Sequence, residues 1–333
     1  MRLWNRRRLA VAGTVAVLVL ALIAGLLLTS GGDKRGDEST AMKPAASSRL
    51  LSPFTGEPVT ALREVLAVKI DNIAQARPHT GLGRADIVYV LPVEGGLTRL
   101  LAIFSSHVPP VTGPVRSARE ADLELLAQFG RPAFAYSGAT PELLPVVGKA
   151  RIVDLYSGRT PASSGYFRDP ARPAPHNLYA HASRLLGQAH GASKAHDIGF
   201  RFGPAPGGGQ ARPAQSVSYP AASLTFTWSA DRDRWLVSMD RAPAASTDDG
   251  RLSAATVVIQ YTTVSTSRFL EAGARPPYAR TTGSGDALVL RDGRAYDARW
   301  SRPAADGGTT FTTVSGRPMT FAPGPVWVVL AAR

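Results

Sequence analysis

The chain has 333 residues, 44% of them hydrophobic, a formal net charge of +13 and no cysteine. That composition excludes wholesale disorder, and the missing cysteine excludes disulfides, thiolate chemistry and a lipid-modified cysteine. Beyond residue 35 there remain 32 basic against 24 acidic residues, so the bulk of the chain is basic at +8.

The N-terminus carries Arg2, Arg6, Arg7 and Arg8, followed by the uncharged run Leu9 to Leu28. Twenty such residues in a helix cross about 30 Å of hydrocarbon. The arginines before the run predict a cytoplasmic N-terminus, with the rest of the chain outside. Residues 1–30 therefore read as a cytoplasmic tip and transmembrane anchor, uncleaved because no small-x-small site follows. Residues 31–49, which include DKRGDESTAMKPAASS, read as a flexible tether. The expected location is the cell membrane, single-pass, with most of the chain extracytoplasmic. There the net charge points to anionic headgroups or phosphate-bearing polymers and away from nucleic acid.

From residue 50 to 203 apolar strands alternate with helical patterns. Strands are expected at Val65–Ile70, Ile87–Val93, Leu97–Ser105, Ala133–Tyr136 and Ile152–Leu155. Helices are expected at Ala118–Phe129, Pro141–Val147 and His181–Ala189. The alternation predicts an α/β first domain, layered around a mixed sheet. Ser117 and Glu120 have the Ser-x-x-Glu spacing of a capping box, which would place Arg116 just outside a helix and Arg119 in its first turn. Residues 204–213, PAPGGGQARP, read as a linker.

From residue 214 to 333 short alternating segments predict a smaller, mostly antiparallel β-domain, with Asp292-Gly293 as a two-residue hairpin turn. Trp228, Trp235, Trp300 and Trp327 fall in these segments and are expected to fill its core.

Three N-terminal stretches, LSPFTGEPV (51–59), AVKIDNIAQARPHTGLGRADIVYVLPVEGGLTRLLAIF (67–104) and GPVRSARE (113–120), together resemble the DUF3048 family of exported bacterial proteins, also called YerB-like. The resemblance continues through RPAPHNLYAH (172–181), GDALVLRDGRAYDARWSR (285–302) and GRPMTFAPGPVWVVL (316–330). It implies two domains and an association with the envelope, often through a lipoprotein anchor. Here a transmembrane helix would replace the lipidated cysteine. Where the family pattern has a Glu before Val-Glu-Gly-Gly, this chain has Leu91-Pro92, which leaves Glu94 as the carboxylate of that strand.

Polar groups gather at the strand ends. Asp71 and Asn72 follow the first strand, Arg77 and His79 lie in the next loop, Asp86 precedes the second strand and Glu94 follows it, and then come Arg99, Arg116 and Arg119. Arginine forks match phosphate or carboxylate oxygens, whereas arginines at a helix start oppose its dipole. Either internal carboxylates such as Glu94, Asp86 or Glu120 balance them, or an external anion does. His176 and Asn177 add a candidate general acid or base and an amide. No dedicated metal loop is present, so no cofactor is expected, though Asp71, Asp86 and Glu94 could hold Mg²⁺ alongside substrate phosphates. Ser137 lacks the Gly-x-Ser-x-Gly elbow of a hydrolase, and His181, His190 and His196 lack zinc spacing.

The reading is a membrane-anchored envelope protein that binds an anionic ligand through Arg77, Arg99, Arg116, Arg119, Asp71, Asn72, Asp86, Glu94, His176 and Asn177. The alternatives are a metal-assisted phosphotransferase acting on polyprenyl-linked cell-wall precursors and a non-enzymatic protein-interaction module.

Overall fold

A computed structural model describes residues 49–160, 165–271 and 273–333. The expected span Leu9–Leu28 and nearly all of the tether lie outside them. Among the described residues no helix is long and apolar enough to cross a membrane.

The first half contributes β1 (Leu66–Asp71), β2 (Ile87–Pro92), β3 (Thr98–Phe104), α1 (Glu120–Leu126), β4 (Ala133–Tyr136), α2 (Leu144–Lys149), β5 (Val153–Tyr156), β6 (Tyr166–Arg168), β7 (Leu178–Ala180) and α3 (Ala182–Gln188). Next come β8 (Gln210–Ala211), β9 (Ala214–Tyr219), β10 (Ala222–Ser229) and β11 (Arg234–Met239). Four two-residue strands follow: β12 (Ala242–Pro243), β13 (Ala245–Ser246), β14 (Gly250–Arg251) and β15 (Ser253–Ala254). The rest are β16 (Thr256–Thr262), β17 (Val264–Thr266), β18 (Pro277–Ala279), β19 (Gly283–Arg291), β20 (Arg294–Arg302), β21 (Thr310–Thr313) and β22 (Val326–Ala332).

The protein is mostly strand. Its α-helices among the described residues are six or seven residues long, shorter than the patterns predict. The helix expected over 118–129 begins at Glu120 and tightens into a 3₁₀ turn after Leu126.

An eleven-stranded mixed sheet runs β21-β20-β19-β16-β22-β2-β3-β1-β4-β5, with β8 on β20. It is shared by both halves through the parallel pairing of β2 with β22, in which Val88 lies opposite Trp327. In its central run β16, β22, β2, β1, β4 and β5 point one way, and β3 alone runs against them. A sheet covered on both faces needs continuous apolar strands, and LAVKID, IVYVLP and TRLLAIF are buried almost throughout. Val68, Val88, Ala102 and Val329 face Phe226, Trp235 and Val237 of a five-stranded sheet built on β9–β12 and β15. Ala67, Tyr89, Leu101 and Val328 face Leu125 of α1, Phe129 and Val147 of α2. The Asp292-Gly293 hairpin joins β19 to β20 with both residues at positive φ, 52° and 69°. Such a turn matches the twist of its strands, as expected.

Candidate functional site

At the carboxyl end of the central parallel strands, β1 finishes at Asp71, opposite Arg99 at the start of β3. Segment 113–116 extends the sheet there. Asp71 N–H donates to the Pro114 carbonyl and Arg116 N–H to the Lys69 carbonyl, 2.9 and 2.8 Å. Val115 N–H in turn donates to the Leu178 carbonyl, so the loop before β7 brings His176 to the same place.

The arginines find internal acids. Arg99 Nη2 donates to Glu94 Oε1 at 2.8 Å. Arg119 Nε and Nη2 clamp both Glu94 oxygens at 2.9 and 2.5 Å, and Nη2 also lies 2.8 Å from Glu271 Oε1. Burial pushes the Glu94 carboxyl up, but its bonds to Arg119 and the nearby Arg99 charge outweigh this and hold it down at about 2. Burial first, then the charge on Arg119, lowers the Arg99 guanidinium to about 10. Glu94, Glu271 and Asp71 together cancel the formal charge of Arg99, Arg116 and Arg119. Internal carboxylates therefore supply the negative charge, Glu271 and Asp71 among them. Glu120 is engaged elsewhere, accepting from Ser267 Oγ, Arg268 N and Arg268 Nε at 2.7, 2.9 and 2.6 Å.

The expected capping box is displaced by two residues. Arg116 is still in the extended segment against β1, Ser117 follows it outside the helix, and Arg119 is the N-cap. Asp122 Oδ2 accepts the Arg119 backbone N–H at 2.7 Å, while its Oδ1 accepts from Lys69 Nζ at 2.6 Å, both side chains fully buried. Burial lowers the Lys69 pKa, and Asp122 opposes the shift.

Arg116 is matched less well. Its Nε is 3.3 Å from Asp71 Oδ2 without hydrogen-bond alignment, and Nη1 reaches the Pro175 carbonyl only at 3.5 Å. Its Nη2 has no hydrogen-bond partner among the described residues. His176 Nδ1 donates to the same Asp71 oxygen at 2.7 Å, which fixes the ring and leaves Nε2 without a partner among those residues. Two adjacent groups, one guanidinium arm and one imidazole nitrogen, thus remain open.

Four expected site residues lie apart. Asp86 is at the opposite end of β2 from Glu94, about 20 Å along a six-residue strand. There it accepts the Ser105 and Ser106 N–H groups at 2.6 and 2.9 Å. Its carboxyl is pushed up to about 6 by burial, against the pull of those bonds. Asn177 accepts from Arg168 Nη1 and donates to the Asp169 and Arg172 carbonyls, fastening its own loop. Asn72 donates to Thr98 Oγ1 at 2.8 Å, and Arg77 donates to Asn72 and to Asp240 Oδ2 at 2.8 Å, joining the first half to the turn after β11. Asp71, Asp86 and Glu94 are thus separately engaged, and among the described residues no three His, Asp or Glu side chains are grouped to hold a metal ion.

Residues 54–195 match the family described as "Protein of unknown function (DUF3048) N-terminal domain", and residues 215–328 match its C-terminal domain. The chain belongs to the DUF3048 family. YerB of Bacillus subtilis (strain 168), which its name marks as a candidate lipoprotein, is 36% identical over 139 residues, 41% of either chain. The chain thus spans about two fifths of that relative's length. The crystal structure of YerB from Bacillus subtilis superposes with a TM-score of 0.72 at 22% identity, covering 86% of this chain and 97% of the other, and so shares this DUF3048 fold.

Glu271, Asp240, Lys69 and Asp122 were not singled out from the sequence. A lysine inside the apolar strand VLAVKI is the one local signal, because such a charge needs a buried partner. Glu271 and Asp240 meet their arginines across more than a hundred residues, and no spacing announces that.

Proposed function

We propose that the protein is a membrane-associated, extracytoplasmic envelope protein that binds a phosphate- or carboxylate-bearing ligand between Arg116 and His176. The carrying observation is that one guanidinium arm and one imidazole nitrogen stand open beside an otherwise charge-balanced network. Asp71 orients both, Arg116 Nη2 offers a permanent charge, and His176 donates from Nε2 when doubly protonated. Arg99, Arg119 and Glu94 then form the support that fixes the strand end, and the ligand does not contact them. The envelope setting draws on the relative named as a candidate lipoprotein and on the arginine-flanked apolar run at the N-terminus. Acid–base work by the Asp71–His176 pair would make phosphoryl transfer from a polyprenyl-linked precursor the second reading.

Calorimetric titration of the detergent-solubilised full chain with inorganic pyrophosphate tests the binding. Arg116→Ala is expected to weaken it about tenfold or more, the loss of one charge-assisted contact, while the variant stays folded at the titration temperature. Equal affinity in the variant would refute the assignment. Release of phosphate from a polyprenyl diphosphate by wild type and not by His176→Gln would favour the second reading.

A further inference from the structure

A separate cavity of about 540 Å³ opens at the carboxyl ends of β16, β22 and β2, beneath the edge strand β9. Its walls are Val217 and Tyr219 from β9, Ile259 from β16, Ala331 from β22, and Val264 and Pro277. Ser216, Ser218 and Tyr261 add hydroxyls to the lining, and the larger polar groups there are engaged. Tyr219 Oη donates to the Leu330 carbonyl at 2.8 Å, and the Glu94 carboxylate at one edge is neutralised by Arg99 and Arg119. Most of the surface that faces the space is apolar, and its size lies in the usual range of about 300 to 1,000 Å³ for small-ligand sites.

Arg275 at the rim is different. Its guanidinium donates only to the carbonyls of Ser267 and Arg268 and has no carboxylate partner among the described residues. An apolar chamber with a permanent cation at its mouth selects a molecule with a hydrocarbon body and an anionic end. A cationic head would meet Arg275 and a Glu94 carboxylate already ion-paired with Arg99 and Arg119.

We propose that this cavity binds a single-chain aliphatic amphiphile, its chain in the chamber and its carboxylate or phosphate head on Arg275. The site is distinct from the Arg116–His176 pair, and neither assignment rests on the other.

The test uses dodecanoate carrying a photoreactive diazirine at its terminal carbon, added to the full chain in native membranes and mapped by mass spectrometry after irradiation. Labelling is expected in the peptides that hold Val217–Tyr219 and Ile259–Val264, with competition by unlabelled dodecanoate and none by dodecylamine. Val264→Trp, which fills the chamber, should abolish it, and Ala331→Trp from the β22 wall gives the same outcome should the first variant fold poorly. Arg275→Ala should reduce it about tenfold, the loss of one ion contact. Undiminished labelling in both tryptophan variants, or equal competition by dodecylamine, would overturn the proposal.

Discussion

Glu94 holds two buried arginines with one carboxylate, so its removal leaves guanidinium charge uncompensated. Glu94→Gln is expected to destabilise the protein by about 3 to 5 kcal/mol in urea unfolding, the usual cost of breaking a buried pair from one side. The same residue sets an acid limb. Its folded pKa of about 2 lies below the ordinary 4.5, so its contribution is complete above pH 4.5 and is lost as pH falls towards 2. That limb is worth about 3 kcal/mol. His79 acts in a higher window. It is buried, donates through Nε2 to the Asp71 carbonyl at 2.8 Å, and has its pKa lowered from 6.5 to about 4 by burial. The unfolded chain therefore takes up this proton first, and stability falls between pH 6.5 and 4 by up to about 3 kcal/mol. Unfolding of His79→Asn should show that segment flattened, and a slope equal to wild type would count against the neutral buried ring.

At the scale of elements, α1 is too short to be helical alone and depends on its anchors. Asp122 caps it and answers Lys69, Glu120 accepts from Ser267 and Arg268, and Glu124 accepts from the Thr281 and Thr282 N–H groups at 2.6 and 3.0 Å. Asp122→Ala is expected to cost about 3 to 5 kcal/mol, and Lys69→Met combined with Asp122→Leu much less, because no lone charge stays buried. A double variant as unstable as the single one would place the energy in the cap and not in the ion pair. The strands around α1 were legible in the sequence, since β1, β2 and β3 are apolar runs covered on both faces and Asp292-Gly293 admits few turns. Strand β9, AQSVSY, was not, because as an edge strand it buries only Val217. Segment 318–321 forms only isolated bridges, from Phe321 to Phe202 and from Pro318 to Thr312. The site was half legible: strand ends collected Asp71, Glu94, Arg99, Arg116 and Arg119, while Asp86 went to the other end because its strand runs the full depth of the sheet.

Over the whole molecule, the parallel β2–β22 pairing makes the two family segments parts of one sheet. Trp327, 2% exposed between Val88 and Val257, belongs to both. Trp327→Ala is expected to cost about 3 to 5 kcal/mol. It should accelerate amide exchange in β1–β3 as well as in β16 and β19, and exchange altered in only one half would deny that coupling. The sheet also brings the 113–116 segment and the loop before β7 to the end of β1, where the proposed ligand would bind. Diffraction from crystals soaked in selenate, a tetrahedral dianion visible by anomalous scattering, shows whether an anion settles there. A peak is expected within hydrogen-bond distance of Arg116 Nη2 and His176 Nε2. A bare Arg116–His176 pair, with selenate seated instead on Arg99 and Arg119 in place of Glu94, would contradict it.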